Sequence, residues 1–568
     1  MSTFLNSANP STHRSVDWSV AGWLIAALAM CFVAYISRVH EVTHDVFHEL
    51  ALARQLWTTG SFPVDDVFAY TPTVSPSVHH EWGTGLLLYL ATVETGLGVW
   101  GITLIKAALC LILWSILYKI ARLRGAHPYV FAFASVIVFP FFWVGFATVR
   151  AQLFTLVFIA AQLWMQELDW RGRRWWACLW CAMLVVWLNL HAGFIVGLCL
   201  MAVHGAERIL DILVAKRSFA AVVRGTWHLW TMAAVVTLAV LVNPYGVDYL
   251  PYLLHAIFMP RPTIAEWGPL WRTYDPLTTL TAFSLSIGLI GYAVRRSSWK
   301  ELTGATNSML GALMALKHIR HGSIYGTLWL AYVPAWISRA PIGVAIVRFI
   351  DEHQGATKRA SQITIAACLV FACSHQFWRP TVSGHRDYSI VCFPTGAVEY
   401  LKAHQFRGNA MVPFHAGAYV SWEAHPHVKV SLDGRYEVAY QPHVYSEHRQ
   451  FYQAEDGWQT IVERYPSDLV LIHREAKVAP LFEHQNRCDE RWECGKQGDG
   501  QCDSELERCN ASQHVETNGG PLEQPKWRLV YQDDSYQLYA RPGIDLPVED
   551  HRGRKLADRA RETFSKGE

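Results

Sequence analysis

From Trp18 to Gln376 long apolar runs alternate with short polar breaks. The runs last about 17 to 22 residues, which carries an α-helix across roughly 30 Å of hydrocarbon at about 1.5 Å per residue. The pattern predicts spans at residues 18–37, 97–118, 128–146, 150–167, 175–190, 192–206, 227–243, 276–294, 302–316, 323–338 and 360–376. Beyond Phe377 the period changes. Val428 to Leu432 and Leu469 to Ile472 have the compact apolar pattern of buried strands. Trp527 to Tyr531 and Tyr536 to Ala540 flank Asp533-Asp534-Ser535 as the arms of a hairpin would, and Gly396 to His404 has helical spacing.

Composition sharpens this division. The chain has 568 residues, 52% apolar, 13% aromatic and 17% charged. Of its 96 Asp, Glu, Lys and Arg residues, 44 precede Phe377, so the first part is about 12% charged and the second about 27%. Two solvents are implied, and an ordinary soluble enzyme is excluded. A net charge of +2, with no basic tract and no phosphate-binding glycine fingerprint in a strand-turn-helix setting, gives no reason to expect nucleic acid as a partner. The first apolar run is too long for a cleaved signal and reads as an anchor.

Basic clusters fall on alternate loops: Lys119, Arg122 and Arg124; Arg171, Arg173 and Arg174; Arg208, Lys216, Arg217 and Arg224; Arg295, Arg296 and Lys300; Arg339, Arg348, Lys358 and Arg359. Short basic loops face the cytoplasm, which puts the N-terminus inside and the loops 38–96 and 244–275 outside, with everything after Phe377. The expected fold is an α-helical polytopic membrane protein of about eleven transmembrane helices with a C-terminal extracytoplasmic α/β domain. Its parts are a cytoplasmic tail (1–17), a membrane domain (18–376) with the outer loop 38–96, the α/β domain (377–548) and a charged, fraying tail (549–568).

Eight of the twelve cysteines lie in or beside apolar segments, where a thiol is usually a small core residue. Cys488, Cys494, Cys502 and Cys509 sit in a polar insert (484–524) with too little apolar surface to order itself. Two disulfides in an oxidising compartment are the natural reading; a zinc site is the rival, although no C-x-x-C pair is present.

Chemistry in such a chain belongs at span ends and in irregular loops, because ionisable groups in lipid are costly. The first outer loop carries His44, Asp45, His48 and Glu49, then Asp65-Asp66, then His79-His80-Glu81-Trp82. On a helix starting near Thr43, Asp45 shares a face with His48 and Glu49. A carboxylate among imidazoles can act as a general base or hold a divalent metal; solvated loop residues are the plain alternative. Arg150 and Gln152 open a span on its outer side, where a guanidinium can grip a phosphate or simply reach the interface. His191 lies between two closely joined spans, as a helix-end hydrogen-bonding group would. Lys317, His318, Arg320 and His321 place positive charge at an outer span end, against the usual bias, and call for an anion. Asp433-Gly434-Arg435 follows a strand and reads as a turn in which Arg435 pairs with Asp433 or Glu437.

These residues, in order, carry a resemblance. Asp45 through Trp57 and Gly60, Pro63, Asp66, Tyr70, Thr71 and His80-Glu81-Trp82 look like the first outer loop of the C-type glycosyltransferase superfamily, membrane enzymes that use polyprenyl-phosphate sugars. Arg150-Ala-Gln152, Asn189-Leu-His191, Asn243-Pro-Tyr-Gly246, Glu266-Trp267, His318-Ile-Arg320-His321, His415-Ala-Gly417-Ala-Tyr419 and Asp433-Gly434-Arg435 continue it. The resemblance implies that Asp45 is the base or metal ligand. Asp45-Val46 replaces the commoner Asp-Glu pair, so Glu49 or Glu81 would have to supply a second carboxylate if a divalent metal is used.

The expected function is thus sugar transfer from a polyprenyl-phosphate donor to a glycan, lipid or protein acceptor on the outer face. Asp45, His48, Glu49, His80 and Glu81 would form the catalytic group, and Arg150, Gln152, His191, Arg320 and His321 the phosphate-binding group. The alternative is a non-catalytic membrane protein that presents its C-terminal domain to envelope partners. A transporter is disfavoured, since no internal repeat and no clear mid-span charge is seen.

Overall fold

The computed structural model describes residues 18–37, 42–259, 261, 264–273, 275–297, 302–374, 380–384, 392–436, 438–484, 527–554 and 556–564. The cysteines at 488, 494, 502 and 509, and Glu437, lie outside the described residues. In chain order the described helices begin with α1 Trp18–Ser37, α2 His44–Thr59, α3 Trp82–Tyr89, α4 Val99–Leu123, α5 Pro128–Phe146, α6 Gln152–Trp170, α7 Trp176–Leu190 and α8 Phe194–Lys216. They continue with α9 Phe219–Ala239, α10 Tyr249–Phe258, α11 Pro276–Arg296, α12 Ala305–Lys317, α13 Gly322–Arg339, α14 Pro341–Glu352 and α15 Gln354–Ala372. The rest are α16 Thr395–Ala403, β1 Gly408–Met411, α17 Phe414–Ala424, β2 Val428–Val430, α18 Pro442–Tyr452, α19 Trp458–Arg464, β3 Leu469–His473, β4 Arg528–Gln532, β5 Tyr536–Ala540, β6 Glu549–Asp550 and α20 Ala560–Thr563.

Contacts divide the chain into two compact units. The first, residues 1–39, 100–246 and 259–379, is helical. Its centre is α13, buried at every position from Gly322 to Ile337. Small residues let neighbours come close: a Cβ on Gly326 would lie 3.0 Å from the Phe142 ring of α5, and one on Gly311 of α12 would lie 3.3 Å from the Tyr325 backbone. Phe32 of α1 stacks on Phe139 of α5 at 4.7 Å, beside Trp114 of α4. α15 packs along α1.

A helix stands at each of the eleven expected spans. By length and hydropathy, however, three described helices are long and apolar enough to cross a membrane, Val20–Ser37, Val99–Leu123 and Pro276–Arg296, or four if the bent pair α13–α14 counts as one. The others are shorter or carry polar groups inward. In α6, for example, Gln162, Gln166, Glu167 and Asp169 are all buried.

The second unit comprises residues 40–99, 247–258 and 380–568. Its sheet has the order β2-β1-β3-β5-β4-β6. β1 runs parallel to β2 and β3, β5 is antiparallel to β3 and β4, and β6 is parallel to β4. The β4–β5 turn forms because Asp533 Oδ1 accepts the Ser535 and Tyr536 backbone N–H groups at 2.8 and 2.7 Å. The expected strands and the expected helix near 396–404 are all present. The terminal segment differs from expectation. Instead of fraying, Glu549–Asp550 adds β6, Phe564 is 1% exposed, and the Trp422 indole donates to the Thr563 carbonyl at 2.8 Å.

The segment 42–99 belongs to this second unit, although hydropathy groups it with the spans it connects. Val430 N–H donates to the Phe68 carbonyl at 2.9 Å and Tyr70 N–H to the Val430 carbonyl at 3.2 Å, so Ala69 continues the sheet beyond β2. Thr73 pairs antiparallel with Tyr440. The Thr71 hydroxyl donates to the Ser431 carbonyl at 2.6 Å.

Candidate functional site

α2 begins after Thr43, whose extended backbone lets its carbonyl accept the first helical N–H, and ends at Gly60 in the left-handed region, φ 69°. Val46, Phe47, Leu50 and Ala51 form its buried face. Phe47 meets Tyr419 of α17 edge-on at 5.1 Å and Phe393 at 5.0 Å. α3 comes so close that a Cβ on Gly85 would lie 2.5 Å from the Glu49 carbonyl oxygen. With α2 clamped on these sides, Asp45 and His48 turn toward the Asp433-Gly434-Arg435 turn. A Cβ on Gly434 would meet His44 Cδ2 at 3.4 Å, Asp45 Oδ1 at 3.5 Å and His48 Nδ1 at 3.8 Å. The missing side chain therefore leaves space directly against the Asp45 carboxylate.

That turn is fixed by a buried ionic triad. Arg435 donates from Nη2 to Asp433 Oδ2 at 2.6 Å and from Nε to Asp433 Oδ1 at 3.0 Å, and its Nη1 pairs with Asp66 Oδ2. The other Asp66 oxygen accepts the Phe68 and Ala69 N–H groups at 2.9 and 2.8 Å. Burial alone would raise the Asp66 carboxyl pKa, but the guanidinium outweighs it and the group titrates below its ordinary value. Burial likewise disfavours charge on Arg435, and the two carboxylates raise it well above the ordinary value. The triad holds one positive and two negative charges, all almost fully removed from solvent.

The segment 79–81 completes the group. A cavity of about 30 Å³, large enough for one or two waters, is lined by His48, Glu49, His79, His80, Glu81 and Arg435 among others. Burial pushes the His79 imidazole down to about 3, with Arg435 adding to the shift, and burial also lowers His48. Both rings are therefore neutral at pH 7 and can accept protons or hydrogen bonds. His44 lies 3.5 Å from Asp45, and His80 lies 3.3 Å from Glu81 with its Nδ1 2.6 Å from the Tyr252 hydroxyl. Among the described residues no group of three or more His, Cys, Asp or Glu is arranged to hold a metal ion.

The chain matches no protein-family model and no curated protein. The reading of the site therefore rests on its own geometry.

All five residues of the expected catalytic group, Asp45, His48, Glu49, His80 and Glu81, belong to this unit, and all but Asp45 line the cavity. The expected phosphate-binding group, Arg150, Gln152, His191, Arg320 and His321, belongs to the helical unit. There Arg150 is ion-paired to Glu266 at 2.6 Å. Gln152 donates to the Arg320 carbonyl at 2.9 Å. The Arg320 and Arg261 guanidiniums each lie 4.7 Å from the Trp267 ring centre, and the His318 and His321 rings stand edge-on to it. His191 Nδ1 sits 2.7 Å from the Thr155 hydroxyl and accepts the Gly193 N–H at 3.1 Å, tying α6 to the α7–α8 junction as a helix-end group. Asp66 was the member of the site that sequence spacing did not join to Arg435; its doubled Asp65-Asp66 in a polar loop was the available signal.

Proposed function

We propose that the chain is an integral-membrane glycosyltransferase of a bacterial inner membrane, the helices at its eleven expected spans crossing the bilayer and its second unit on the outer face. It would move a sugar from a polyprenyl-phosphate donor to an envelope acceptor. Asp45 is the base: its side chain keeps 30% exposure while His48 and the Asp433–Gly434–Arg435 turn stand behind it. The observation that carries the reading is this convergence of a partly exposed carboxylate, a neutral imidazole and a surplus of buried negative charge on the turn centred on Gly434. Deprotonation of an acceptor hydroxyl by a positioned carboxylate contributes about 10²- to 10⁴-fold. The 30 Å³ cavity is water-sized, so the saccharide meets Asp45 from its exposed side. Within the helical unit, the cations around Trp267 are the groups suited to a lipid phosphate.

A second reading, a non-catalytic protein that presents its C-terminal domain, is favoured by the fully satisfied triad, which a purely structural turn would also show. Purified protein incubated with a panel of polyprenyl-phosphate sugars and acceptors, with and without divalent metal, separates the two. Consumption of a lipid-linked donor supports transfer; an intact donor across the panel supports the second reading.

A further inference from the structure

α14 is an element that the hydropathy pattern did not set apart, and sugar transfer does not use it. It follows α13 with only Ala340 between them, yet the two meet at 77°. The corner is built in: Pro341 stands in the first turn, Ile342 N–H donates to the Tyr292 hydroxyl of α11 at 3.2 Å, and a Cβ on Gly343 would lie 2.0 Å from the Ile337 carbonyl oxygen. Only a glycine lets α14 fold back this tightly onto the end of α13.

The helix turns Gly343 and Ile350 inward. Ile342, Ile346 and Phe349, spaced i, i+4, i+7, form a separate stripe that is 45%, 37% and 60% exposed. Arg348, Asp351 and Glu352 lie on the other side. α15 leaves from the other end of α14, after His353, and packs along α1, one of the helices apolar enough to cross a membrane. A helix set at 77° to its predecessor, and joined at its two ends to two helices of the expected membrane domain, has an apolar stripe where the bilayer surface begins. Exposed basic residues lie on α14 and on the helices next to it: Arg348 on α14, Lys358 and Arg359 in the first turns of α15, and Arg295 and Arg296 in the last turn of α11.

We propose that α14 lies flat in the headgroup layer, with Ile342, Ile346 and Phe349 in the acyl boundary, and that the surrounding arginines and lysine draw anionic phospholipid to this leaflet. The proposal requires that the chain crosses a membrane and is independent of sugar transfer.

The test uses the full chain with an environment-sensitive fluorescent amino acid at position 349, reconstituted into vesicles of phosphatidylcholine with and without phosphatidylglycerol. Lipids brominated near the headgroup should quench the probe more than lipids brominated at the chain end. Brominated phosphatidylglycerol should quench about twofold more than brominated phosphatidylcholine at equal fraction, and Arg348→Ala with Arg359→Ala should remove that excess. Both substitutions are at exposed positions and leave packing untouched. No quenching by either lipid would mean that water, a second copy or another protein covers the stripe, and would overturn the proposal. Strongest quenching from chain-end bromine would make α14 part of a broken span, and equal quenching by the two headgroups would remove the anionic preference; each contradicts it.

Discussion

The two units each bury an ionic network, and the networks have opposite composition. In the helical unit one carboxylate, Asp169 of α6, is 0% exposed and collects Arg174 at 2.6 Å, His228 at 2.7 Å, and His204 and Arg208 at 3.1 Å. The Trp176 indole donates to it at 3.3 Å. The partners come from the α6–α7 connection, the start of α7 and the middles of α8 and α9, so a single anion at the end of α6 ties four helices together. In the other unit one cation, Arg435, serves two carboxylates. The first network directs its groups inward to satisfy an anion. The second leaves negative charge in surplus beside Asp45 and neutral imidazoles, which is the setting a base requires. Under the proposed function, the sign of the charge left over is what distinguishes the clasp from the site.

Removing the hub should separate the two most strongly. Arg435→Met strands Asp66 and Asp433 in a buried site and is expected to cost about 3–5 kcal/mol, read as a lowered unfolding midpoint of the purified protein. Adding Asp66→Asn should recover part of that loss, because one stranded charge is gone; no recovery would mean that Arg435 acts through packing alone. Asp169→Asn keeps a hydrogen-bond acceptor and should cost less, about 1–3 kcal/mol, with sugar transfer unchanged at temperatures where the variant is folded. Loss of transfer in a folded Asp169→Asn protein would break the distinction.

The pH dependence is smaller and falls on the second unit. His79 protonates near 6.5 when unfolded and near 3 when folded, so its contribution is complete above pH 6.5 and is lost as the pH falls toward 3. His448 and His415, each lowered to about 4 by burial, act in the same direction. Asp66 adds a loss below its ordinary value of 3.8. His79→Gln should flatten the stability slope between pH 6 and 4 by up to about 1.4 kcal/mol per pH unit. An unchanged slope would place His79 in contact with water.

Gly434→Ala is the smallest perturbation of the fold and the sharpest of the site. The added methyl finds ordinary van der Waals contacts at 3.4–3.8 Å, so stability should change by no more than about 0.5 kcal/mol. Because that methyl sits against Asp45, transfer should fall while the unfolding midpoint holds.

Much of this arrangement was legible in the chain, and the illegible parts share a cause. Apolar period revealed the helices at the eleven expected spans and α16, and the strand patterns at 428–432, 469–472 and 527–540 became β2, β3, β4 and β5, since both signals are local. The α2 face of Asp45, His48 and Glu49 followed from helical spacing for the same reason. Hydropathy reports which solvent a segment prefers but not which neighbour it joins. It could not show that 42–99 continues the sheet beside β2, or that Asp66 meets Arg435 across 369 residues. β1, of four residues, and α14, in a stretch that the basic residues mark as a cytoplasmic loop, are too short to show a period of their own. Arg150 looked like an anion-binding group because its partner Glu266 lies 116 residues away.

The most direct test is the rate of sugar transfer by Asp45→Asn, measured beside the wild-type protein with the same lipid-linked donor. The substitution keeps size and hydrogen bonding and removes only the basic charge. A drop of about 10² or more with an unchanged unfolding midpoint is the expected result. Transfer within about twofold of wild type would contradict the assignment of Asp45 as the base.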